Sequence, residues 1–469
     1  MFNQIEEAHI SHFIGLIGET CVRIDAESRA HYGHDETEDL VFAPDVVLLP
    51  HNTSQVQDIM RYCHAHNIAV TPIGARTGLS GGALSLHGGV GLCLEKFNQI
   101  LRIDLDNLQV TTQPGVITQV LQETVASHGL SYPPDPSSRG SCFIGGNLAE
   151  NAGGPRAVKY GVTKDWVLDL EVVLPDGSCI HTGTRTLKNS TGYNLTQLMV
   201  GSEGTLGIIT EATLKLIPKP THQLLMLAAF DNAQKACDAV SAIFKAGITP
   251  SALEFMERDA IDWVLPFVPD HGMNIDPNVQ AHLLIEVDGR HMESLMADCE
   301  TIYEVLAAFD CGDILFAEDE TQKNKLWALR RRVAEAVKAN SIYKEEDTVV
   351  PRHALAELLK HVKDVGSLYG FQSVCYGHAG DGNLHINIIK GDLSDAMWNV
   401  ELPKAIAEIF EKCVSLGGTL SGEHGIGLVQ KNYMPIAFMP ESLHLMRAIK
   451  QVFDPKGILN PGKIFPDEV

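Results

Sequence analysis

The sequence is poor in positive charge. It has 36 lysines and arginines against 59 aspartates and glutamates, so its formal charge is −23. A field of that sign repels phosphate backbones and anionic lipid headgroups, which argues against nucleic-acid binding. A small anionic substrate would need cationic side chains placed locally around it.

Long apolar runs and paired cysteines are also missing. No run approaches the roughly 18 residues of a transmembrane helix, and the start, MFNQIEEAHISHF, lacks the regions of a signal peptide. The ten cysteines are scattered without a CxxC pair, which argues against zinc ribbons and cysteine-ligated iron–sulfur clusters. We therefore expect a cytoplasmic protein without a membrane span, whose cysteines are reduced and buried.

The order of elements predicts several folding units within the 469 residues. A strand at 45–50, a helix at 51–67 with Ser54 as its N-cap, and a strand at 68–74 form a β–α–β unit with parallel pairing. A hairpin is expected around Asp176-Gly177. The composition, 45% hydrophobic and 20% charged, suits a globular protein.

Two prolines at 218–223 break this pattern. After them, strands and amphipathic helices predict a sheet covered by helices, and the chain is mostly helical from about residue 400. The sequence therefore predicts an α+β protein with a first, two-part α/β domain over 1–219, an α+β domain over 220–425 and a helical segment over 426–469 that returns to the first domain.

Three glycine-rich loops stand out in the first domain, at 72–82 (PIGARTGLSGG), 145–154 (GGNLAENAGG) and 201–210 (GSEGTLGIIT). Glycines let backbone N–H groups approach a phosphate closely. The first loop is neither a P-loop nor a Rossmann fingerprint, and by itself it is better explained as a turn. Three such loops together favour a large phosphate-containing cofactor.

Two histidine motifs, GHAGDGNLH at 377–385 and SGEHGIG at 421–427, carry the strongest chemical signal. They contain His378, His385, Glu423 and His424. Two imidazoles and a carboxylate suit a zinc-like divalent ion with open positions. The spacing alone leaves a metal site and a structural role equally open.

A run of three arginines, Arg330 to Arg332, lies in the predicted amphipathic helix LWALRRRVAEAVKAN. Most charge runs are solvated, so we expect at most one of the three to be buried. A buried guanidinium suits bidentate binding of a carboxylate.

The order of five motifs, the three loops, PPDPSS and the C-terminal DPKGILNPGK, resembles the FAD-binding flavoproteins of the vanillyl-alcohol oxidase fold. Within them it is most similar to the branch that holds the flavin subunit of glycolate oxidase, D-lactate dehydrogenases and D-2-hydroxyglutarate dehydrogenase. The resemblance covers nearly the whole chain and implies that the first domain binds FAD. The loop at 72–82 contains no histidine or cysteine, so we expect the FAD to be non-covalent.

The resemblance also implies the residues that contact FAD. They are Pro72, Gly74, Ala75, Arg76, Thr77, Gly78, Leu79, Ser80, Gly81, Gly82, Pro134, Asp135, Ser138, Gly145, Gly146, Asn147, Asn151, Gly153, Gly154, Glu203, Gly204, Ile209 and Asn460. Gly74 to Gly82 would cradle the pyrophosphate, and Ile209 would lie by the adenine.

The resemblance assigns the remaining roles as follows. One divalent metal, with zinc expected, is bound by His378, His385 and Glu423. The general base is His424. The substrate is bound by Arg330, Lys344 and Asn387.

The implied reaction is the oxidation of a D-2-hydroxy acid to the 2-oxo acid, with hydride transfer to flavin N5 and a metal that activates the hydroxyl. Ala334 stands where D-2-hydroxyglutarate dehydrogenase has a hydroxyl residue, so D-lactate or glycolate is favoured. The alternatives are D-2-hydroxyglutarate dehydrogenase, an oxidase that releases peroxide, an aldehyde- or phenol-oxidising relative and a non-enzymatic ligand-binding module.

Electrons are expected to leave to a separate partner, because the sequence has no cysteine-rich iron–sulfur tail. That partner would be an iron–sulfur subunit, an electron-transfer flavoprotein or a quinone-linked protein. It would bring the protein to the periphery of the inner membrane. A homodimer is compatible with the sequence.

Overall fold

A computed structural model describes residues 2–37, 40–269 and 275–467. Contacts between Cα atoms divide the chain into two compact units. Unit 1 comprises Met1–Gly153, Val162–Lys219 and Glu423–Val469. Unit 2 comprises Gly154–Gly161 and Pro220–Gly422.

The β-strands of the described residues are numbered along the chain. They are β1 Val22–Arg23, β2 Val46–Leu48, β3 Val70–Ile73, β4 Val90–Cys93, β5 Ile100–Asp104, β6 Gln109–Thr112, β7 Leu130–Ser131, β8 Val167–Val173, β9 Cys179–His181, β10 Ile208–Lys215, β11 Ile217–Pro218, β12 His222–Phe230, β13 Ala252–Glu257, β14 Ala281–Gly289, β15 Ile314–Phe316, β16 Tyr343–Val349, β17 Gln372–Gly377 and β18 Asn383–Ile389.

The α-helices are numbered in the same way. They are α1 Glu7–Ile17, α2 Ala26–His31, α3 Thr53–His66, α4 Thr118–Ala126, α5 Ile144–Glu150, α6 Ala157–Tyr160, α7 Leu195–Met199, α8 Ala233–Lys245, α9 Arg258–Val264, α10 Met292–Ala307, α11 Glu320–Arg331, α12 Val333–Asn340, α13 Leu355–Tyr369, α14 Leu402–Ser415, α15 Met434–Ala437 and α16 Pro440–Phe453. Within the described residues, no helix is both long and apolar enough to cross a bilayer.

Unit 1 contains a four-stranded sheet in the order β1-β2-β4-β3. Strands β2, β4 and β3 run parallel, as the β–α–β order predicts, and β1 is antiparallel to β2. Helix α3 places Val56, Ile59, Met60 and Cys63 in the core of this sheet. The helical spacing of these apolar residues explains why this face of α3 is buried.

A five-stranded antiparallel sheet, β5-β6-β10-β8-β9, also belongs to unit 1. The hairpin predicted at Asp176-Gly177 is confirmed, because β8 and β9 pair on either side of it. Gly177 has φ +82°, and a Cβ there would collide with the side chain of Arg61. Only glycine fits this turn without strain.

Unit 2 is built on a seven-stranded antiparallel sheet in the order β15-β12-β14-β13-β17-β18-β16. Helices α9, α11 and α12 pack on one face with Met256 and Tyr376. Helices α8, α10, α13 and α14 pack against strands of the sheet and against one another. We call the face that carries Met256 and Tyr376 the α11 face.

Candidate active site

The first and second glycine loops of unit 1 lie next to each other. A Cβ built on Gly74, just after β3, would lie 3.9 Å from the Cα of Gly146. A Cβ on Gly78 or on Gly146 would meet no described heavy atom within 4 Å. The backbone therefore faces open space at Gly78 and Gly146, which suits a phosphate-binding cradle at these two positions.

The second glycine segment is a loop only in part, because its residues 145–150 belong to helix α5, Ile144–Glu150. The third glycine loop is held against this helix. The N–H groups of Gly201 and Glu203 donate to the carbonyls of Leu148 and Ala149, both at 2.9 Å. The side-chain amide of Asn147 is buried and donates to Thr118 Oγ1 at 2.6 Å. The three predicted loops are thus brought together in one unit.

The C-terminal segment ties the first loop to the third. Asn460 Nδ2 donates to the carbonyl of Gly82 at 3.1 Å and to that of Glu203 at 2.8 Å. Lys463 Nζ donates to the carbonyl of Leu84 at 2.6 Å, and burial lowers the pKa of Lys463 to about 8. Sequence reasoning missed Lys463, although it ends the quoted motif DPKGILNPGK.

Glu203 also holds the backbone that follows His424. Its buried carboxylate accepts the N–H groups of Ile426 at 2.8 Å and of Gly427 at 2.6 Å. Burial raises the pKa of Glu203, and the two N–H donors act in the opposite direction. The carboxylate predicted to contact FAD therefore positions the histidine motif within unit 1.

The segment around Glu423 packs closely on the second glycine loop. A Cβ on Gly153 would lie 2.8 Å from Glu423 Oε2. Gly425 has φ +82°, and a Cβ there would collide with the carboxylate of Glu150. Burial and the neighbouring Glu203 raise the pKa of Glu150 well above its usual range. A side chain at Gly425 would be strained by its backbone conformation as well as by this contact.

Other residues assigned to FAD have partners in the protein. Asp135 is buried and pairs with Arg139 at 2.6 Å. The Arg76 guanidinium lies 5.1 Å from the ring centroid of Tyr32. Asn151 accepts the N–H of Lys164 at 2.9 Å. These contacts define local structure, and the assignment of these residues to FAD stays a prediction.

In unit 2, the register of the strands brings polar side chains onto the α11 face. Tyr376 and Asp347 both lie opposite His385, and Glu345 lies opposite Asn387. Directly opposed residues of antiparallel strands project to the same side of a sheet. Two predicted site residues, His385 and Asn387, therefore share a face with two buried or half-buried acids.

The two histidines assigned to the metal lie side by side. Their rings are buried, with centroids 5.3 Å apart at an angle of 82°. His378 Nδ1 lies 2.8 Å from Glu254 Oε2, and His385 Nδ1 lies 3.3 Å from Glu345 Oε1 and 3.7 Å from Asp347 Oδ1. The hydrogen bond of His378 Nδ1 to Glu254 favours the tautomer of His378 whose Nε2 is free of a proton, which is the form that binds a metal.

Arg330 is the buried member of the arginine run, with 3% of its surface exposed. Its Nε lies 2.7 Å from Glu254 Oε2, and its guanidinium carbon lies 4.9 Å from the ring centroid of Tyr376. Arg332, by contrast, pairs with Glu335 at 2.8 Å on the surface. The structure thus brings the predicted carboxylate anchor to His378, one of the predicted metal ligands.

Glu254 is the main residue of this group that sequence reasoning missed. It is fully buried on β13 and faces both His378 and Arg330. Burial alone would raise the pKa of Glu254, but His378 and Arg330 outweigh burial and hold this pKa below its usual value. The available signal was an acid in the middle of the apolar strand SALEFME.

Lys344 is not brought to this group. On β16 it lies opposite Ile388, so it projects to the other side of the sheet from Glu345. Its Nζ donates to the carbonyl of Trp398 at 3.3 Å and lies 5.0 Å from the centroid of that ring. The alternation of side chains along a strand explains why the neighbour of Glu345 faces the opposite side. The role of Lys344 in substrate binding stays a prediction.

Two further details bear on substrate binding. Ala334 does not continue the helix of Arg330, because α11 ends at Arg331 and α12 begins at Val333.

Asn387 is fully buried and donates through Nδ2 to the carbonyl of Val374 at 3.3 Å. Its Oδ1 has no hydrogen-bond partner within the described part of the chain. A buried acceptor of this kind is expected to meet a ligand or water.

Comparison with known families decides the class of protein. The family of FAD linked oxidases, C-terminal domain, matches residues 219–464, and the FAD binding domain family matches residues 44–183. The first match alone spans more than half of the chain. The chain belongs to the FAD-linked oxidases. The predicted α+β architecture with an N-terminal FAD-binding domain is confirmed.

Three relatives are similar to this FAD-linked oxidase over almost their whole length. The glycolate oxidase subunit GlcD of Bacillus subtilis is 42% identical and the match covers 93% of this chain and 92% of the relative. A D-lactate dehydrogenase of Anaerostipes hadrus is 38% identical, covering 94% of each chain. A D-2-hydroxyglutarate dehydrogenase of Stutzerimonas stutzeri is 34% identical, covering 95% and 96%. The protein is thus an FAD-dependent oxidoreductase of this group, as the motifs predict.

Solved structures agree on the fold of this oxidase. Substrate-bound p-cresol methylhydroxylase superposes with a TM-score of 0.80 over 97% of this chain and 96% of its own, at 17% identity. The 4-ethylphenol oxidase of Gulosibacter chungangensis gives 0.77 over 98% and 97%, at 20% identity. The predicted vanillyl-alcohol oxidase fold is confirmed.

Proposed function

We propose that this FAD-linked oxidase is a dehydrogenase that oxidises a small D-2-hydroxy acid, D-lactate or glycolate, to the 2-oxo acid. The observation that carries the proposal is the buried group on the α11 face, where two adjacent imidazoles lie beside a guanidinium. Imidazoles suit a divalent metal and a guanidinium suits a carboxylate. A 2-hydroxy acid offers oxygens to both.

FAD would be held non-covalently by the three glycine loops of unit 1. The open backbone at Gly78 and Gly146 fits a pyrophosphate, because no side chain intervenes. Neither histidine nor cysteine occurs at 72–82 to form a covalent link to the flavin. When bound, FAD supplies the acceptor for the hydride that leaves the substrate's α-carbon.

His378, His385 and Glu423 would hold one divalent metal, for which zinc suits the donor set. The carboxylate of Glu254 at Nδ1 of His378 fits this role, since metal-binding histidines commonly donate their other N–H to an acid. Glu423 follows Gly422, whose N–H is held by Asp347 Oδ2 at 2.8 Å. When bound, the metal supplies positive charge that stabilises the ionised hydroxyl of the substrate.

The chain's own residues would bind and deprotonate the substrate. Arg330 binds the carboxylate, and the unpaired Oδ1 of Asn387 accepts a hydrogen bond from the substrate. His424 accepts the hydroxyl proton as general base. Glu203 supports the position of His424 within unit 1. Its carboxylate accepts the backbone N–H groups of Ile426 and Gly427, which lie two and three residues after His424.

A substrate with one carboxylate is favoured over one with two. Glu345 and Asp347 add negative charge to the α11 face, and the cation that would balance a second carboxylate, Lys344, lies on the other face. Repulsion between like charges opposes a distal carboxylate here. D-2-hydroxyglutarate dehydrogenase therefore stays the alternative rather than the first choice.

Electrons would pass to a separate acceptor, as the name of the similar glycolate oxidase subunit suggests. An iron–sulfur subunit, an electron-transfer flavoprotein or a quinone-linked protein would fill this role.

The deciding experiment is a substrate screen of purified protein with an artificial dye acceptor over D- and L-2-hydroxy acids. We expect D-lactate or glycolate to bleach the yellow flavin and reduce the dye, while L-lactate and D-2-hydroxyglutarate do so far more slowly. A protein whose flavin no 2-hydroxy acid reduces would overturn the proposal. Faster turnover of D-2-hydroxyglutarate would select the alternative.

A further inference from the structure

We propose that Glu254 is a positioning residue that orients the proposed metal ligand His378 and the proposed carboxylate anchor Arg330 at the same time. The inference rests on the proposed function and extends it to a residue that does not touch substrate or cofactor. The Glu254 carboxylate would thereby link the residue that helps to bind the substrate's hydroxyl, His378, to the residue that binds the substrate's carboxylate, Arg330.

The geometry places Glu254 between its two partners. His378 Nδ1 lies 2.9 Å from Oε1 and 2.8 Å from Oε2, and Arg330 Nε lies 2.7 Å from Oε2. The Glu254 side chain is 0% exposed, and those of His378 and Arg330 are 4% exposed. A carboxylate buried to this extent is stable only with charged or donating partners, so the three side chains hold one another in place.

The contact with His378 determines which ring nitrogen is available. An acceptor at Nδ1 keeps the proton there and leaves the lone pair on Nε2. Without the carboxylate, the imidazole loses both its fixed tautomer and its fixed ring orientation. Loss of such outer contacts commonly weakens metal binding about 10- to 100-fold.

The contact with Arg330 balances charge. A guanidinium beside His378 would repel a divalent cation bound to that ring, and the repulsion is strong where water is excluded. The negative charge of Glu254 offsets the positive charge of Arg330. The same ion pair holds the guanidinium over the ring of Tyr376, which limits the directions from which a substrate carboxylate can be bound.

The test compares Glu254→Gln with Glu257→Gln in the FAD-loaded protein. Glu257 is a matched control, because it is buried on the same strand but pairs with Lys363 at 2.7 Å instead of with the site. We expect Glu254→Gln to weaken zinc binding about 10- to 100-fold in a chelator competition and to raise KM, while FAD content is unchanged. Glu257→Gln should keep the zinc affinity and the KM of the wild type.

A double variant separates positioning from a merely structural role. If Glu254 acts on the substrate through Arg330, the effect of Glu254→Gln on KM disappears in an Arg330→Ala background, while the effect on zinc affinity remains. Should Glu254→Gln not fold, Glu254→Asp replaces it. The shorter carboxylate cannot keep both contacts, so zinc affinity or KM must change.

Three results would overturn the inference while leaving the proposed function standing. These are wild-type zinc affinity and KM in the Glu254 variants, equal losses in Glu257→Gln, and an undiminished KM effect of Glu254→Gln in the Arg330→Ala background. A wild-type protein that binds no zinc and oxidises no 2-hydroxy acid would instead overturn the proposed function.

Discussion

At the residue scale, Arg330 differs from the two arginines that follow it in the chain because its side chain is buried. Arg330 to Arg332 are alike in sequence, yet only the side chain of Arg330 is buried, facing Glu254. Arg332 stays near the surface, paired with Glu335. The register of helix α11 against the sheet decides which arginine enters the site, since neighbouring positions point in different directions.

Replacement of Arg330 by alanine is expected to raise KM for the 2-hydroxy acid roughly 10- to 150-fold, because a charge-assisted hydrogen bond worth about 1.5–3 kcal/mol is lost. Steady-state kinetics with a dye acceptor measure the change. Arg332→Ala is the control and should keep the wild-type KM. Unchanged kinetics in Arg330→Ala would move the carboxylate anchor to another residue.

Substitution of the proposed metal ligands and substitution of the proposed base are expected to remove different properties of the enzyme. His378→Ala and His385→Ala should lose metal and activity together and keep FAD, because the glycine loops belong to unit 1. His424→Ala should keep the metal and lose the chemical step, with a smaller change in substrate affinity.

Elemental analysis of the purified variants measures this difference. The assignment fails if His424→Ala loses metal as completely as the other two variants. It also fails if wild-type protein treated with a chelator keeps full turnover.

At the scale of single elements, helix α3 illustrates how capping depends on the path of the chain. The sequence predicts Ser54 as its N-cap, but the helix begins at Thr53 and the cap is Asn52. Asn52 Oδ1 accepts the N–H of Gln55 at 3.0 Å. The two residues are equally good caps by type. Asn52 takes the role because it has the extended backbone that a cap needs.

Strand β14 carries a buried histidine that makes stability depend on pH. Burial, with the charge of Arg258 beside it, lowers the pKa of His282 from 6.5 to about 4. In the unfolded chain this histidine gains a proton below about pH 6.5, but in the folded chain it stays neutral until about pH 4. The free energy of unfolding therefore falls as the pH falls through this window, by about 2 kcal/mol between pH 7 and pH 5.

Urea unfolding of wild type and His282→Gln at the two pH values tests this dependence. The variant should lose less stability on acidification than the wild type. His291→Gln, a change at an exposed histidine of the same unit, should leave the wild-type dependence intact. Equal losses in the wild type and His282→Gln would contradict the assignment.

At the scale of the whole molecule, the chain forms two units with separate contents. Unit 1 holds the glycine loops, tied together by Asn460 and Lys463, and unit 2 holds the two adjacent histidines and Arg330. Each unit has its own hydrophobic core. Loss of either of these histidines is therefore expected to leave cofactor binding intact.

Acid precipitation of the native protein is expected to release the yellow colour into the supernatant, because no residue of the first loop can bond the flavin covalently. Removal of metal by a chelator should leave the FAD content unchanged. Absorbance of the supernatant measures the first result, and the flavin-to-protein ratio measures the second. Flavin that stays with the peptide after proteolysis would contradict the non-covalent assignment.

The sequence by itself determined the local features of this protein. Short-range patterns, such as the apolar spacing of α3 and the turn at Gly177, act over a few residues and can be interpreted without the fold. The segment 145–154 is an exception, because its glycines predict a loop and residues 145–150 form helix α5. The order of motifs was enough to identify the family. It also singled out Arg330, His378 and His385, which the structure brings together on the α11 face.

Only the tertiary structure decided which distant side chains meet. Glu254 joins His378 and Arg330 across a sequence separation that no local pattern records. Lys344 turns away because the register of β16 against β18 places its neighbour Glu345 on the α11 face. A shift of one residue in that register would exchange the two, since side chains alternate along a strand. Register depends on packing of the whole sheet, and for that reason the sequence alone could not settle it.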